Sequence, residues 1–268
     1  MPSLIERGWT VHLVSRGVKP QFDYGANGIW HTLDLKKANG GFPTIEARVV
    51  FDSLGVVGNW LERAQGTGVR RVVAFSSTSV FTKADSTDPI DIRSVQVVQA
   101  REQAFADTFA RLQIDWTILR PTLIYGGKFG DRTVQDIAKA IRLLGFFPMF
   151  GSGSGLRQPV HAGDLAEACI QVCDNEATFN RSYNVGGGEV LPYRDMVARI
   201  CAAMGRPARI VRIPLPVFEF AARLARLHPR YGHIRSSMAE RMEKDMTFSN
   251  AEASADFGYA PRPFEPLV

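Results

Sequence analysis

The chain has 268 residues, 45% hydrophobic and 22% charged, with 32 Lys and Arg against 27 Asp and Glu for a net charge of +5. That length suits one large α/β domain or a nucleotide domain with a small second lobe, and so ordinary a composition excludes a disordered or fibrous chain. No run reaches the ~18 apolar residues of a membrane span, and MPSLIERG carries charge too early for a secretory leader, so neither a membrane partner nor a leader is expected.

In chain order, residues 10–14 and 47–51 read as short buried strands, 59–65 as a helix and 72–75 as another buried strand. A long helical pattern at 94–112 leads into a strand at 116–119. Apolar strands alternating with helices argue for a parallel sheet covered on both faces. After Tyr125 the glycines at 126, 127 and 130 loosen the chain, and a helix follows at 134–143. Residues 145–155 form a Gly-rich stretch with large apolar side chains. Helices at 164–173, 193–204 and 217–227 and strands at 182–185 and 209–213 restore the α/β rhythm, and the tail from Phe248 is polar, with prolines at 261, 263 and 266.

The positive charge favours an acidic partner, but Lys and Arg are scattered and no nucleic-acid module is visible. A diphosphate-bearing small molecule is the better expectation. Cys169 and Cys173 share one face of an apolar helical pattern, Cys201 is the third cysteine, and no His or Cys stands nearby at ligand spacing. Buried thiols in a reducing cytoplasm are expected, without a metal.

Six segments carry a resemblance: LIERGWTVHLVSRG at 4–17, RRVVAFSSTSVF at 70–81, LRPTLIYGG at 119–127, RQPVHAGDLAEA at 157–168, YNVGGG at 183–188 and FGYAPRPFEP at 257–266. In this order they resemble the extended short-chain dehydrogenase/reductase superfamily, in its NAD-dependent epimerase/dehydratase (nucleotide-sugar epimerase) branch. The resemblance implies an α/β fold: a Rossmann-like doubly wound parallel sheet with a small mixed C-terminal lobe. The core would hold 1–125 and 157–185, and the substrate lobe 126–156 and 186–268. It also implies NAD(P), a nucleotide-sugar substrate and a homodimer built through the helix at 94–112.

Two departures stand against the family pattern. The Gly-rich turn that opens the first helix beneath the cofactor pyrophosphate is absent. The chain begins inside that helix, so the first strand and its turn, about 20 residues, are missing: either they lie upstream, the favoured expectation, or the sheet closes differently, or a partner supplies a strand. Gly55-Val-Val-Gly58 lacks the third glycine, and the glycines at 151–155 and 186–188 read as turns and tight packing. The family's Tyr and Lys, four residues apart on one helix face, are also missing. Aligning Glu102 with the family's following Glu puts Ser94 and Val98 in their places; aligning Arg101 with the Lys puts Val97 at the Tyr.

By the resemblance, Ser77 hydrogen-bonds the reacting sugar oxygen and Thr78 stands next to it. Arg16 follows the second strand, where it suits a 2′-phosphate and favours NADP over NAD. Asp34 lies on the adenine side, while Leu54, Gly55, Ser76, Pro121, Thr122 and Leu123 line the cofactor. Arg157 holds the substrate diphosphate, helped by Lys128, and His161 is structural. The missing Tyr–Lys pair supports the alternative of a non-catalytic NAD(P)-binding or regulatory protein.

Overall fold

The computed structural model describes residues 2–15, 25–32, 34, 47–52, 68–82, 88–126, 132–214 and 242–267. Its centre is a four-stranded sheet, all parallel, built from β3 (Val49–Asp52), β4 (Arg71–Phe75), β5 (Asp115–Pro121) and β10 (Arg181–Val185) in the order β10-β5-β4-β3. β4 is buried along nearly all its length because its apolar run is covered from both sides.

One cover is α3 (Pro89–Leu112), whose Phe105, Phe109 and Leu112 pack on Val50, Val72 and Trp116. The helix begins five residues before the expected 94. Asp88 accepts a hydrogen bond from Ile90 N and Pro89 occupies the first turn, a strong start signal; exposed Ile90 and Ile92 blur the apolar period there. The other cover is α5 (Ala162–Gln171), whose Leu165, Ala168 and Cys169 meet Val73, Leu119 and Tyr183. α7 (Ala251–Phe257) joins it, so the tail expected to be only polar contains a helix, ended by Gly258 at φ 71°.

A second parallel pair, β1 (Val11–Ser15) and β2 (Gly28–Thr32), follows the short α1 (Pro2–Glu6). Leu4, Val11 and Leu13 form its core, and Phe51 of β3 and Ile170 of α5 pack against them. The remaining large cluster joins Val134, Ile137 and Ile141 of α4 (Arg132–Leu144) to Met196, Val197 and Ile200 of α6 (Tyr193–Ala203). Within it β7 (Phe147–Phe150) pairs in parallel with β12 (Ile210–Ile213), so part of the Gly-rich stretch is a strand. Four short strands are also described: β6 (Ile124–Tyr125) pairs in parallel with β9 (Val160–His161), and β8 (Leu156–Arg157) pairs antiparallel with β11 (Leu191–Pro192). The helices expected at 59–65 and 217–227 lie outside the described residues.

Candidate active site at the carboxyl ends of the sheet

Open parallel sheets bind ligands beyond the carboxyl ends of their strands. There, Ser76 N donates to Leu119 O at 2.9 Å and Thr78 N to Pro121 O at 3.2 Å, which fixes the 76–78 loop to the end of β5. Thr78 is buried, and its Oγ1 also donates to Pro121 O. Ser77 Oγ accepts from Ser79 N at 3.1 Å, at the start of the one-turn α2 (Ser79–Thr82). Thr122 Oγ1 donates to Gln158 O, and Leu123 O accepts from Val160 N at 2.8 Å. These bonds tie the 121–123 turn to the segment before β9.

α3 brings Glu102 onto this end of the sheet. Arg120 Nε and Nη2 donate to its carboxylate at 2.9 and 2.6 Å, and the guanidinium lies 5.5 Å from the Phe81 ring centre. Ser76 Oγ and Asn184 Oδ1 are buried with no hydrogen bond of good geometry, and Asn184 pairs in register with Arg120. Burial would raise the Glu102 pKa, but the Arg120 hydrogen bonds and charge, aided by the nearby Ser76 hydroxyl, hold it below the ordinary value. Sequence reasoning used Glu102 only to set a register. Its pairing with Arg120 joins two elements eighteen residues apart, which no local pattern signals.

A depressed carboxyl pKa stabilises the fold above the unfolded value and loses that contribution as pH falls through the folded one. Urea melts of the wild type and of Glu102→Gln between pH 7 and pH 3 should therefore converge as the pH drops below the ordinary glutamate range. A difference that stays constant with pH would show that the pair contributes nothing through charge.

The helix face carrying Glu102 carries Ser94 and Val98 two turns and one turn earlier, so that face offers neither a phenol nor an amine. Arg157 is buried; its Nη1 donates to Leu156 O and Lys244 O, each at 2.8 Å, and its guanidinium lies over Tyr193. His161 caps α5 by accepting from Gly163 N, and Asp164 accepts from Arg262 N and Nε of the tail. Asp34 lies just beyond β2 and is half-buried. β3 ends at Asp52, a buried acid that closes the apolar run VVF. Arg16, Leu54, Gly55 and Lys128 lie outside the described residues.

Burial pushes the Cys169 and Cys173 thiols up to about 12, so neither is a ready nucleophile. Among the described residues no group of three or more His, Cys, Asp or Glu could hold a metal, and no helix is long and apolar enough to cross a membrane.

The family model described as "NAD dependent epimerase/dehydratase family" matches residues 45–186, more than half of the chain. The chain belongs to the NAD-dependent epimerase/dehydratase family. Among curated proteins it is 30% identical over 213 residues to the uncharacterized protein y4nG of Sinorhizobium fredii, covering 75% of this chain and 52% of that protein. The chain thus spans about half the length of that relative. Among solved structures it is similar to UDP-glucuronic acid 4-epimerase from Bacillus cereus, solved with NAD, at a TM-score of 0.73 and 14% identity, covering 98% of this chain and 89% of that one. UDP-glucose 4-epimerase from Thermotoga maritima, solved with UDP-glucose, matches at a TM-score of 0.69 and 15% identity, covering 98% and 89%. The shared fold is the Rossmann-like α/β architecture.

Asn184 Oδ1 is a buried polar atom at this end of the sheet that a bound group or water would satisfy. A glycine cradle for the pyrophosphate is not among the described residues. The run Gly186–Gly188 does not replace it: a Cβ at any of the three would strike Gln158, Pro159 O or Pro261 O within 2.4 Å, so the run serves backbone packing.

Proposed function

We propose that this chain is an NAD(P)-dependent epimerase, dehydratase or reductase acting on a nucleotide sugar, with its chemistry at the ends of β4 and β5. The observation that carries the reading is the hydroxyl loop 76–78, held against the end of β5 inside the segment that the family model matches. The two nucleotide-sugar epimerases of the same fold support the substrate class.

In this reading the bound dinucleotide supplies hydride exchange with a sugar carbon. Ser77 hydrogen-bonds the sugar hydroxyl at that carbon, and Thr78 holds the loop through Pro121 O. Ser76, Pro121, Thr122 and Leu123 face the cofactor, with Leu54, Gly55 and Asp34 on its adenosine side. Arg16 selects NADP over NAD by pairing with a 2′-phosphate. Arg157 and Lys128 serve the substrate diphosphate.

A second reading, a cofactor-binding protein without turnover, is favoured by Ser94 and Val98 on the Glu102 face. Fluorescence titration with NADPH and NADH, followed by turnover assays with nucleotide sugars, separates the two. The enzyme reading expects saturable binding, tighter for NADPH, and turnover that falls at least about tenfold in Ser77→Ala with NADPH affinity unchanged. Unchanged turnover removes Ser77 from the chemistry. Binding with no turnover of any sugar supports the second reading. If Arg157→Ala lowers stability while the KM for the sugar stays constant, Arg157 belongs to the packing of the β8 segment instead.

A further inference from the structure

The cluster that joins α4 to α6 contains two helix–strand units side by side. α4 leads through Gly145 and Phe146 into β7, and α6 leads through residues 204–209 into β12. The helices share one apolar core, with Ile137 and Ile141 packed among Val197 and Ile200. The strands pair in parallel, Phe147 lies opposite Ile210, and Phe147 N donates to Arg209 O at 2.8 Å. Because the strands are parallel, both helix-to-strand turns come to the same end of this packed unit.

That end is open to solvent. Each turn passes through a left-handed glycine, Gly145 at φ 76° and Gly205 at φ 66°, and a Cβ added to either would meet nothing within 4 Å. Leu143 is 81% exposed and Leu144 48%. Around them Lys139, Arg142, Arg206 and Arg209 are all exposed. These residues come from two stretches, 137–163 and 196–218, and neither stretch contains an Asp or Glu. Among the described residues no carboxylate forms an ion pair with any of the four cations. A cation in the last turn of a helix complements its dipole, which accounts for Arg142. It does not account for two bare leucines among four unneutralised charges.

We infer that this end is a peripheral docking surface for an anionic phospholipid bilayer. The four cations meet headgroup phosphates, while Leu143 and Leu144 enter the boundary between headgroups and acyl chains. Each cation near such a surface raises partitioning about fivefold, so four give roughly several hundredfold before the leucines contribute. Other occupants match the chemistry less well. A second copy would set this cationic end against one of the same sign. Nucleic acid would neutralise the cations but leave the leucines without a partner. The sequence predicts no membrane partner because it lacks a span, yet a surface contact needs none, and this one is assembled from stretches about sixty residues apart.

The test is co-sedimentation of the full chain with vesicles of phosphatidylcholine alone, and of phosphatidylcholine mixed with phosphatidylglycerol. The expected result is attachment to the anionic vesicles only, weakened by added salt. Arg206→Glu/Arg209→Glu should lower partitioning at least about tenfold, and Leu143→Ser/Leu144→Ser should lower it about as much. Arg70→Glu/Arg93→Glu makes the same change in net charge at exposed positions before β4 and on α3, and should leave attachment near that of the wild type. No sedimentation with anionic vesicles at low salt overturns the inference, and so does equal attachment to both vesicle types. An equal loss in the two arginine variants would show that net charge alone is read. Unchanged attachment of the leucine variant would show that nothing enters the bilayer. Either result overturns the inference, as does retention of a single-stranded oligonucleotide without any vesicle binding, which assigns the end to nucleic acid. Sedimentation depends on neither cofactor nor turnover, so its result stands apart from the proposed activity.

Discussion

Arg71→Met should lower the stability of this protein by roughly 3 kcal/mol, whereas Arg70→Met, one residue earlier and exposed, should change it by less than about 0.5 kcal/mol. Arg71 is 3% exposed at the amino end of β4. Its Nε donates to Cys173 O at 3.3 Å, and its Nη2 donates to Val172 O at 2.9 Å and to Thr178 Oγ1 at 3.0 Å. The carbonyls belong to the carboxyl end of α5, where a cation also meets the negative pole of the helix. Phe179 covers the guanidinium at 4.4 Å.

Burial lowers the Arg71 pKa to about 10, which still leaves it charged at neutral pH. A buried charge is not stabilising by default, and an apolar replacement of equal length can be neutral when its partners are replaced too. Here the partners remain. Thr117 Oγ1, which also accepts from Arg71 Nη2, and Thr178 Oγ1 stay hydrogen-bonded through Thr178 O and Asn175 O, but Cys173 O loses its donor and Val172 O its charged one. The orphaned Cys173 O and the weakened bond at Val172 O therefore outweigh the desolvation recovered from the guanidinium. For a chain of this size the melting temperature should fall by roughly 6–12 °C. A fall of under 2 °C would show that the carbonyls find water instead.

Gly187→Ala is expected to be at least as damaging, at about 3 kcal/mol or more. A Cβ there would sit 1.8 Å from Pro159 O and 2.6 Å from Pro159 C. That backbone has little room to recede. Gln158 O accepts from Gly187 N and from Thr122 Oγ1, and Val160 N donates to Leu123 O. Gly258→Ala makes the comparison informative. It has φ 71° and nothing within 4 Å of an added Cβ, so it loses only the conformational freedom of glycine, about 1 kcal/mol. Calorimetry of the two variants separates steric clash from backbone strain. Equal losses would mean that the Gln158–Val160 segment moves aside.

Much of the central sheet is legible before folding. Residues 72–75 and 116–119 are short apolar runs because both faces of their strands are covered, and a buried strand needs no polar alternation. The ends of the elements are less legible, since a cap such as Asp88 or an αL residue such as Gln113 acts through one side chain or one dihedral angle. β7 and α7 were hidden for a different reason. β7 exists because β12, some sixty residues later, pairs with it, and α7 because Ala253 and Phe257 pack on α5 and β10.

The candidate site divides in the same way. The family resemblance, the order of its motifs, the hydroxyls at 76–78 and the missing phenol–amine pair are all legible in the chain, because each resides in one contiguous segment. Folding alone reveals that Glu102 meets Arg120, that Arg157 is enclosed by Leu156 O and Lys244 O, and that Gly186–Gly188 fills a packing seam rather than a phosphate cradle. These are relations between segments distant in the chain, and their energies arise from burial and desolvation that exist only after the layers have packed.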